Sequence, residues 1–487
     1  MTGRLWWSDA RVQLSNNPLF TADVQANFPT TGAVPAIALN AKQLDLADSG
    51  SPYNVGNATF IPGQTDPDDR KDSSFFNGAI TFEHQLNDDS SYRVSYQRVD
   101  TNRKLSFGPD GPRVVSFAES PFDTASEGRI DTFQARTDHR IGNHTFVTVG
   151  YEFENERFHS WDLSFGESGT SDVEQTSKAV FAQDQIQLID GQLQLGLSGR
   201  VQLFDVQTPA FSGTPSPYEG VSLGSPHNAY TGDGALAYFF RGTETKFRAH
   251  VGSSYRAPSA YERLGSSFFA GSFSYWGDPR LSPERSIAVD AGLDQWLFDS
   301  KFQLSGTVFY TNLQETIHFD FATFPANDPF GRFGGYRNTG GGIARGVELS
   351  GQMSPTQDTN VRMSYTYTNS DSNTPTIEGT NYFRTLGVSD HTFTLTATQW
   401  IADRLNVTFD LFTVSDYTLS PFGAQSRLLV FDGPMKADLV LRYSLPLQLE
   451  RSLEVYTKIE NVFNNEYYEG GFPTPGAWAI IGLRFNY

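Results

Sequence analysis

The sequence predicts an all-β chain folded as a transmembrane antiparallel β-barrel, and three observations carry that expectation. Segments of alternating hydrophobicity recur from about residue 75 to the end. They join in pairs through short turns, and the pairs are separated by long polar loops. The chain stops on an aromatic residue with no polar tail. Successive side chains of a strand point to opposite faces, so period-two patterning marks a strand with one apolar face. Short turns on one side and long loops on the other are the layout of outer-membrane barrels.

Composition agrees with this class. The 487 residues include 40 Phe, 21 Tyr and 44 Gly, yet only 38% are hydrophobic. Many aromatics in a polar chain suit a barrel with aromatic girdles and a wet lumen better than a dry core. No stretch approaches the ~18 consecutive apolar residues of a spanning helix, and a barrel needs none. There is no cysteine, which argues against disulfide or Cys-metal chemistry. The net charge of −19 argues against a nucleic-acid partner. Met1-Thr2-Gly3-Arg4-Leu5-Trp6-Trp7 shows no secretory leader.

Taken in order, residues ~3–15 read as one strand, with Ala10, Val12 and Leu14 alternating with Asp9, Arg11 and Gln13. Residues ~16–74 show no clear strand pair and read as a long extracellular loop rich in Pro and Asp, so 1–74 is a partial first strand plus loop. Eight hairpins then fill 75–487 together with the final strand. Their turns fall near Asn87-Asp88-Asp89, Ile141-Gly142-Asn143, Asp190-Gly191, Arg241-Gly242, Phe298-Asp299-Ser300, Pro355-Thr356, Ala402-Asp403 and Leu445-Pro446. Asp190-Gly191 is the sharpest, since Asp-Gly suits the φ > 0 positions of a type I′ hairpin. The long loops are expected at ~104–128, ~156–176, ~206–227, ~257–282, ~319–341, ~371–390, ~416–432 and ~463–475. The count is about 17 strands, or 18 with the first segment.

Alternation also assigns faces. Val361, Met363, Tyr365, Phe393 and Leu395 are expected to face lipid, and Arg362, Lys246, Arg248 and Thr394 the lumen. In the last strand Leu483, Phe485 and Tyr487 face lipid and Arg484 faces inward. A charge on the lipid face at mid-membrane costs about 2–4 kcal/mol, which is why the pattern is strict. The histidines, among them His227, His250 and His391, read as lumen residues rather than ligands.

Several segments resemble the TonB-dependent outer-membrane receptors, especially the cobalamin and catecholate-siderophore branch. Tyr255-Arg256-Ala257-Pro258-Ser259, followed by Gly277-Asp278-Pro279-Arg280-Leu281-Ser282-Pro283-Glu284, is similar to one characteristic stretch. Arg345-Gly346-Val347-Glu348-Leu349 is similar to a second. Ile459-Glu460-Asn461-Val462-Phe463-Asn464-Asn465-Glu466-Tyr467-Tyr468 is similar to a third, before the last strand. The ending Leu483, Phe485, Tyr487 resembles the C-terminal signal read by the outer-membrane assembly machinery. Read physically, these stretches shape the barrel first. Pro258 ends an up-going strand because Pro cannot continue a ladder, and Asn461, Asn464 and Asn465 are turn formers.

The resemblance implies a bacterial outer-membrane location and a role in uptake of a scarce, bulky nutrient, a ferric siderophore or another metal chelate, or cobalamin. It implies membrane lipid as a partner and the TonB complex in the intact receptor. Family barrels have 22 strands and a plugged lumen. Counted back from Tyr487, this chain reads as a receptor barrel without its plug and its first four strands. A passive porin-type channel is the alternative function, and a soluble β-rich adhesin or binding protein is a third, from another class. There is no P-loop, no His-Glu-x-x-His and no Gly-x-Ser-x-Gly, so no enzyme is expected.

Two stretches are candidate binding elements. Asp66, Asp68 and Asp69 offer hard oxygen ligands and loosely resemble the calcium-binding loop of cobalamin receptors; the other reading is a solvated loop. No other cofactor is expected. Phe268, Phe269, Phe273, Tyr275 and Trp276 form the most aromatic loop and could stack on a planar ligand, pack loops together or line the membrane rim.

Overall fold

A computed structural model describes residues 1–15, 32–63, 65–108, 122–164, 167–212, 218, 224–269, 272–320, 328, 330–332, 334–376, 381–420, 428–447 and 451–486. The principal sheet has 20 strands, of which Ala210–Ser212 and Gly335–Thr339 are short additions, leaving a wall of 18. The first nine are β1 (Thr2–Ser15), β2 (Thr65–Asn87), β3 (Ser90–Phe107), β4 (Phe122–Ile141), β5 (Thr145–Ser164), β6 (Glu167–Leu188), β7 (Leu193–Val206), β8 (Ala229–Phe240) and β9 (Thr245–Arg256). The second nine are β10 (Glu284–Leu297), β11 (Phe302–Asp320), β12 (Gly342–Thr356), β13 (Thr359–Ser372), β14 (His391–Ile401), β15 (Leu405–Val414), β16 (Met435–Pro446), β17 (Ser452–Glu460) and β18 (Trp478–Asn486). Each pairs antiparallel with its sequence neighbours, as a meander does. The expected strand count therefore holds.

The ladder also tests the faces, because directly opposed residues share one. Val361 stands opposite Ala397, Met363 opposite Leu395 and Tyr365 opposite Phe393. Lys246 opposes Asp294, Asp294 opposes Ser305, Ser305 opposes Ser350, Ser350 opposes Ser364 and Ser364 opposes Thr394. Followed strand by strand, Val361, Met363, Tyr365, Phe393, Leu395, Leu483 and Phe485 fall on one face and Lys246, Arg248, Arg362, Thr394 and Arg484 on the other. Tyr487 lies outside the described residues. His391 departs from its expected lumen position: it opposes Tyr367 on the outer face, and its Nδ1 lies 2.8 Å from the Tyr365 hydroxyl.

Strand length divides the wall in two. β14, β15, β17 and β18 have 11, 10, 9 and 9 residues, about the 9–11 that cross the apolar band. β2 to β6 have 23, 18, 20, 20 and 22 and rise well above it. The loops expected at ~104–128 and ~156–176 are thus corrected: much of both is strand. Polar sequence suggested loops, but cross-strand polar contacts such as the Arg157–Glu174 ion pair at 3.4 Å and the His159–Asp172 hydrogen bond at 2.7 Å replace apolar packing there. The boundary at residue 74 is corrected likewise, since β2 begins at Thr65.

The turn at Asp190-Gly191 is longer than a two-residue hairpin. Ile189, Asp190 and Gly191 all have positive φ (53°, 50° and 79°), so a β-branched residue joins the expected pair in the left-handed region.

Residues 32–63, between β1 and β2, pack on loops near the other end of the meander. Ala33–Pro35 pairs in parallel with Leu428–Val430, which in turn pairs with Tyr417–Leu419. Helix α1 (Ala41–Asp48) starts with a capping box between Asn40 and Gln43. Phe60 and Leu429 are 3% and 0% exposed in one apolar cluster, and the Gly63 amide donates to the Gly471 carbonyl at 3.2 Å. The two ends of the wall are thereby clasped at the extracellular rim.

Candidate functional site

The connection from β9 to β10 builds the barrel mouth. Arg256 closes β9, and the buried Pro258 turns the chain off the ladder. Helix α2 (Ala260–Leu264) follows, with Ser259 and Glu262 as its capping box. The hairpin Ser266–Phe269/Ser272–Tyr275 comes next. This segment reaches past β8 and β7 to the inner face of β6 and β5. Tyr261 lies edge-on to Phe158 at 5.7 Å, and Ala260 and Leu264 cluster with Val173, Tyr218 and Phe330. Burial pushes the Tyr261 hydroxyl up to about 12.

Two ionic clamps hold the segment. Arg256 grips Glu262 with two bonds of 2.8 and 2.9 Å and donates from Nε to Glu284 at 2.6 Å. Glu284 also accepts the Ile317 amide at 2.8 Å. In the second clamp, Asp278 accepts from Arg280 at 2.9 and 2.8 Å and from Arg332 at 3.0 Å, while Asp328 accepts from Arg332 at 2.9 Å. Burial alone would raise the Asp278, Asp328 and Glu284 carboxyls. The guanidinium bonds outweigh it and hold all three below the usual carboxylate range. A Cβ on Gly277 would sit 2.5 Å from the Arg263 carbonyl carbon, so only glycine lets the chain pass there. Arg263, 2% exposed, donates to the Pro279 carbonyl at 2.9 Å and to the Gly224 carbonyl.

Below the mouth the inward face is lined with charges. Arg200 meets Glu152 at 2.5 Å, Arg248 meets Asp294 at 3.4 Å, and Lys436 and Lys458 share Glu460 at 3.0 and 2.7 Å. Such a surface is suited to water and polar solute, not to a dry core.

The predicted site residues fall as follows. Arg256, Ala257, Pro258, Pro283 and Glu284 belong to the mouth connection. Gly346 lies on β12, where a Cβ would come 1.9 Å from the Tyr367 carbonyl oxygen and 2.8 Å from the Phe309 ring; Glu348 is exposed on the same inward face. Asn461 is 2% exposed and ties the turn before β18, bonding the Asn465 carbonyl and amide at 2.9 and 3.1 Å. Phe463 is exposed beside it. Leu483 and Phe485 stand exposed on the outer face.

Of the aromatic group, Phe268, Phe269 and Phe273 are carried by the hairpin, with side chains outside the described residues. Tyr275 packs on Tyr218 at 5.7 Å, joining two loops, and Trp276 on Phe319 at 5.8 Å, fastening the connection to the end of β11. Asp68 and Asp69 sit on β2 rather than in a loop, and Asp69 accepts the Gly108 amide at 3.0 Å. The Asp66 side chain lies outside the described residues. Among the described residues no three acidic or histidine side chains gather as a metal site. Sequence reading missed Arg332, Asp328 and Tyr218, which stand dozens of residues from the motif they support.

Comparison with known proteins follows the same line. A family profile described as "TonB dependent receptor-like, beta-barrel" matches residues 7–462. No curated protein sequence matches the chain. Among solved structures, BauA, the ferric preacinetobactin receptor of Acinetobacter baumannii, superposes with a TM-score of 0.66 at 12% identity, over 99% of this chain and 70% of that one. The ferric-catecholate import receptor Fiu of K12 E. coli gives 0.65 at 16% identity, over 99% and 72%. The siderophore receptor PiuA of Acinetobacter baumannii gives 0.66 at 15%, over 99% and 71%. At such identities the likeness is one of fold. With the profile match over most of its length, this chain belongs to the TonB-dependent receptors, transport proteins of the bacterial outer membrane.

Proposed function

We propose that the cargo is a ferric siderophore or a comparable bulky metal chelate, captured at the mouth and passed down the charged lumen, with TonB energising the passage in the intact receptor. The observation that supports this reading is the clamped β9–β10 connection, whose hairpin lies against β5 and β6 above an inward face lined with charges. The names of the structural neighbours support an iron chelate over cobalamin as cargo. Phe268, Phe269 and Phe273 are the proposed contacts for the chelate. Leu483 and Phe485 are proposed to engage the assembly machinery. Calcium is the proposed occupant for Asp66, Asp68 and Asp69 only if the top of β2 rearranges to gather them.

The test is iron uptake by a strain lacking its own receptors and expressing the full-length protein. Ferric catecholate should enter in a TonB-dependent manner and cyanocobalamin should not. Uptake of cyanocobalamin alone would replace the chelate reading, and TonB-independent leakage of both would favour a passive channel.

A further inference from the structure

Beneath α2 the inner wall carries two carboxylates without a counter-charge. Phe158 on β5 and Val173 on β6 face inward, where Tyr261, Ala260 and Leu264 pack on them. Side chains alternate along a strand. Glu156 and Glu154, next below on β5, and Gln175, next below on β6, therefore face inward too. The ladder sets Glu156 directly opposite Gln175 and Glu154 opposite Ser177. Opposed side chains have Cβ atoms about 4.5–5.5 Å apart, and the two glutamates are about 6.4–6.8 Å apart along the strand. Glu154, Glu156 and Gln175 thus share one patch. At this height the outer face carries Asn155 and Arg157, bonded at 3.1 Å, so the patch stands above the lipid.

The patch is short of donors. Among the described residues Glu156 has no hydrogen bond or ion pair, and Glu154 has only the Thr132 hydroxyl at 3.4 Å. Gln175 is 8% exposed, yet its Oε1 accepts no hydrogen bond. A buried acceptor is rarely left in that condition. Arg200 is engaged by Glu152 at 2.5 Å, and Arg256 by Glu262 and Glu284. Glu156 is repelled by Glu154 from below and by Glu262 of α2 from above. An anion is unsuited to such a place. A hard metal ion seeks six or more oxygens, and no three acidic or histidine side chains gather among the described residues. A protonated primary amine brings one positive charge, three N–H donors and no acceptor, which matches three acceptor groups.

Resting on the chelate reading of the mouth, we propose that Glu154, Glu156 and Gln175 form a specificity subsite for a protonated primary amine carried by the cargo. The ammonium group donates one N–H to each side chain while the chelate lies above, against the mouth connection. A chelate without the amine leaves the two charges and the buried amide oxygen unanswered, so it is selected against.

The test uses the full-length protein in detergent and two ferric tris-catecholate chelates that differ at one group, a primary-amine arm in one and its acetamide in the other. Quenching of intrinsic fluorescence reads the two Kd values. The amine chelate should bind roughly tenfold tighter, as expected for hydrogen bonds between charged groups. Glu156→Gln and, separately, Gln175→Leu should each bring the two affinities together, while heat-modifiable gel mobility confirms a folded barrel. Equal affinities in the unsubstituted protein, or folded variants that keep the preference, would overturn the subsite and leave the chelate reading standing. Binding of neither chelate would overturn both. A preference lost in calcium but kept in sodium of equal ionic strength would give the carboxylates to a metal ion and overturn the subsite as well.

Discussion

Phe60 lies edge-on to Tyr468, with ring centroids 5.3 Å apart and planes at 88°. Phe60 belongs to the segment after the first strand and Tyr468 to the turn before the last, so this contact bridges the two ends of the wall. Removing a buried Phe side chain costs about 3–5 kcal/mol. Phe60→Ala should therefore lower the temperature at which the folded band collapses on semi-native gels. An unchanged transition would mean that the clasp does not hold the ends.

Arg256 joins both sides of the mouth connection through Glu262 and Glu284. A lysine keeps the charge but not the planar fork. Arg256→Lys should expose residues 257–283 to limited proteolysis while the wall stays protected, and Glu284→Gln should give a milder version. Equal protease resistance in all three proteins would remove the clamp from the account.

The same connection should respond to acid. Asp278, Asp328 and Glu284 have folded-state values below their unfolded ones of about 3.9 for Asp and 4.3 for Glu. Groups depressed in this way contribute their full stability above the unfolded values and lose it as pH falls through the folded ones. Hydrogen exchange in 257–283 should be flat from about pH 5 to 8, after correction for intrinsic rates, and should rise below about pH 4. Loosening on the alkaline side instead would contradict the carboxylate assignment.

Gly346 leaves room for the Phe309 ring and the Tyr367 carbonyl. Gly346→Val forces the ladder apart there and should reduce the amount of folded barrel recovered from membranes, by about 1–3 kcal/mol of overpacking. Co-substitution Phe309→Ala cannot relieve the backbone clash, so it should restore little.

Met363 and Arg362 are neighbours on opposite faces of β13. Met363→Arg places a charge in lipid at about 2–4 kcal/mol and should impair assembly much more than Arg362→Met. Comparable yields of folded protein from both would reverse the face assignment.

The membrane made part of this fold readable. Where the outer face meets lipid, Val361, Met363 and Tyr365 must alternate with polar residues, and alternation is visible in a single sequence. Above the lipid that demand ends. Arg157 and Glu174 lie in strands held by an ion pair, yet a polar run with Gly and Ser nearby reads as loop. The mouth was legible only in outline. Arg256, Pro258 and Glu284 stand out as a motif, but their stability depends on partners such as Arg332, 54 residues from Asp278, and no local pattern announces such a pair. Tyr275 and Trp276 showed their chemistry in the sequence but not their orientation, which packing against Tyr218 and Phe319 decides.

The rim clasp has a consequence in time. Every wall strand pairs with its sequence neighbours, so the wall can grow hairpin by hairpin from local contacts, the kind that form fastest. The Phe60 cluster is different: its partners Leu429, Phe431 and Tyr468 are hundreds of residues downstream. It can close only after the late strands are in place, which makes its burial a marker that the barrel has finished assembling.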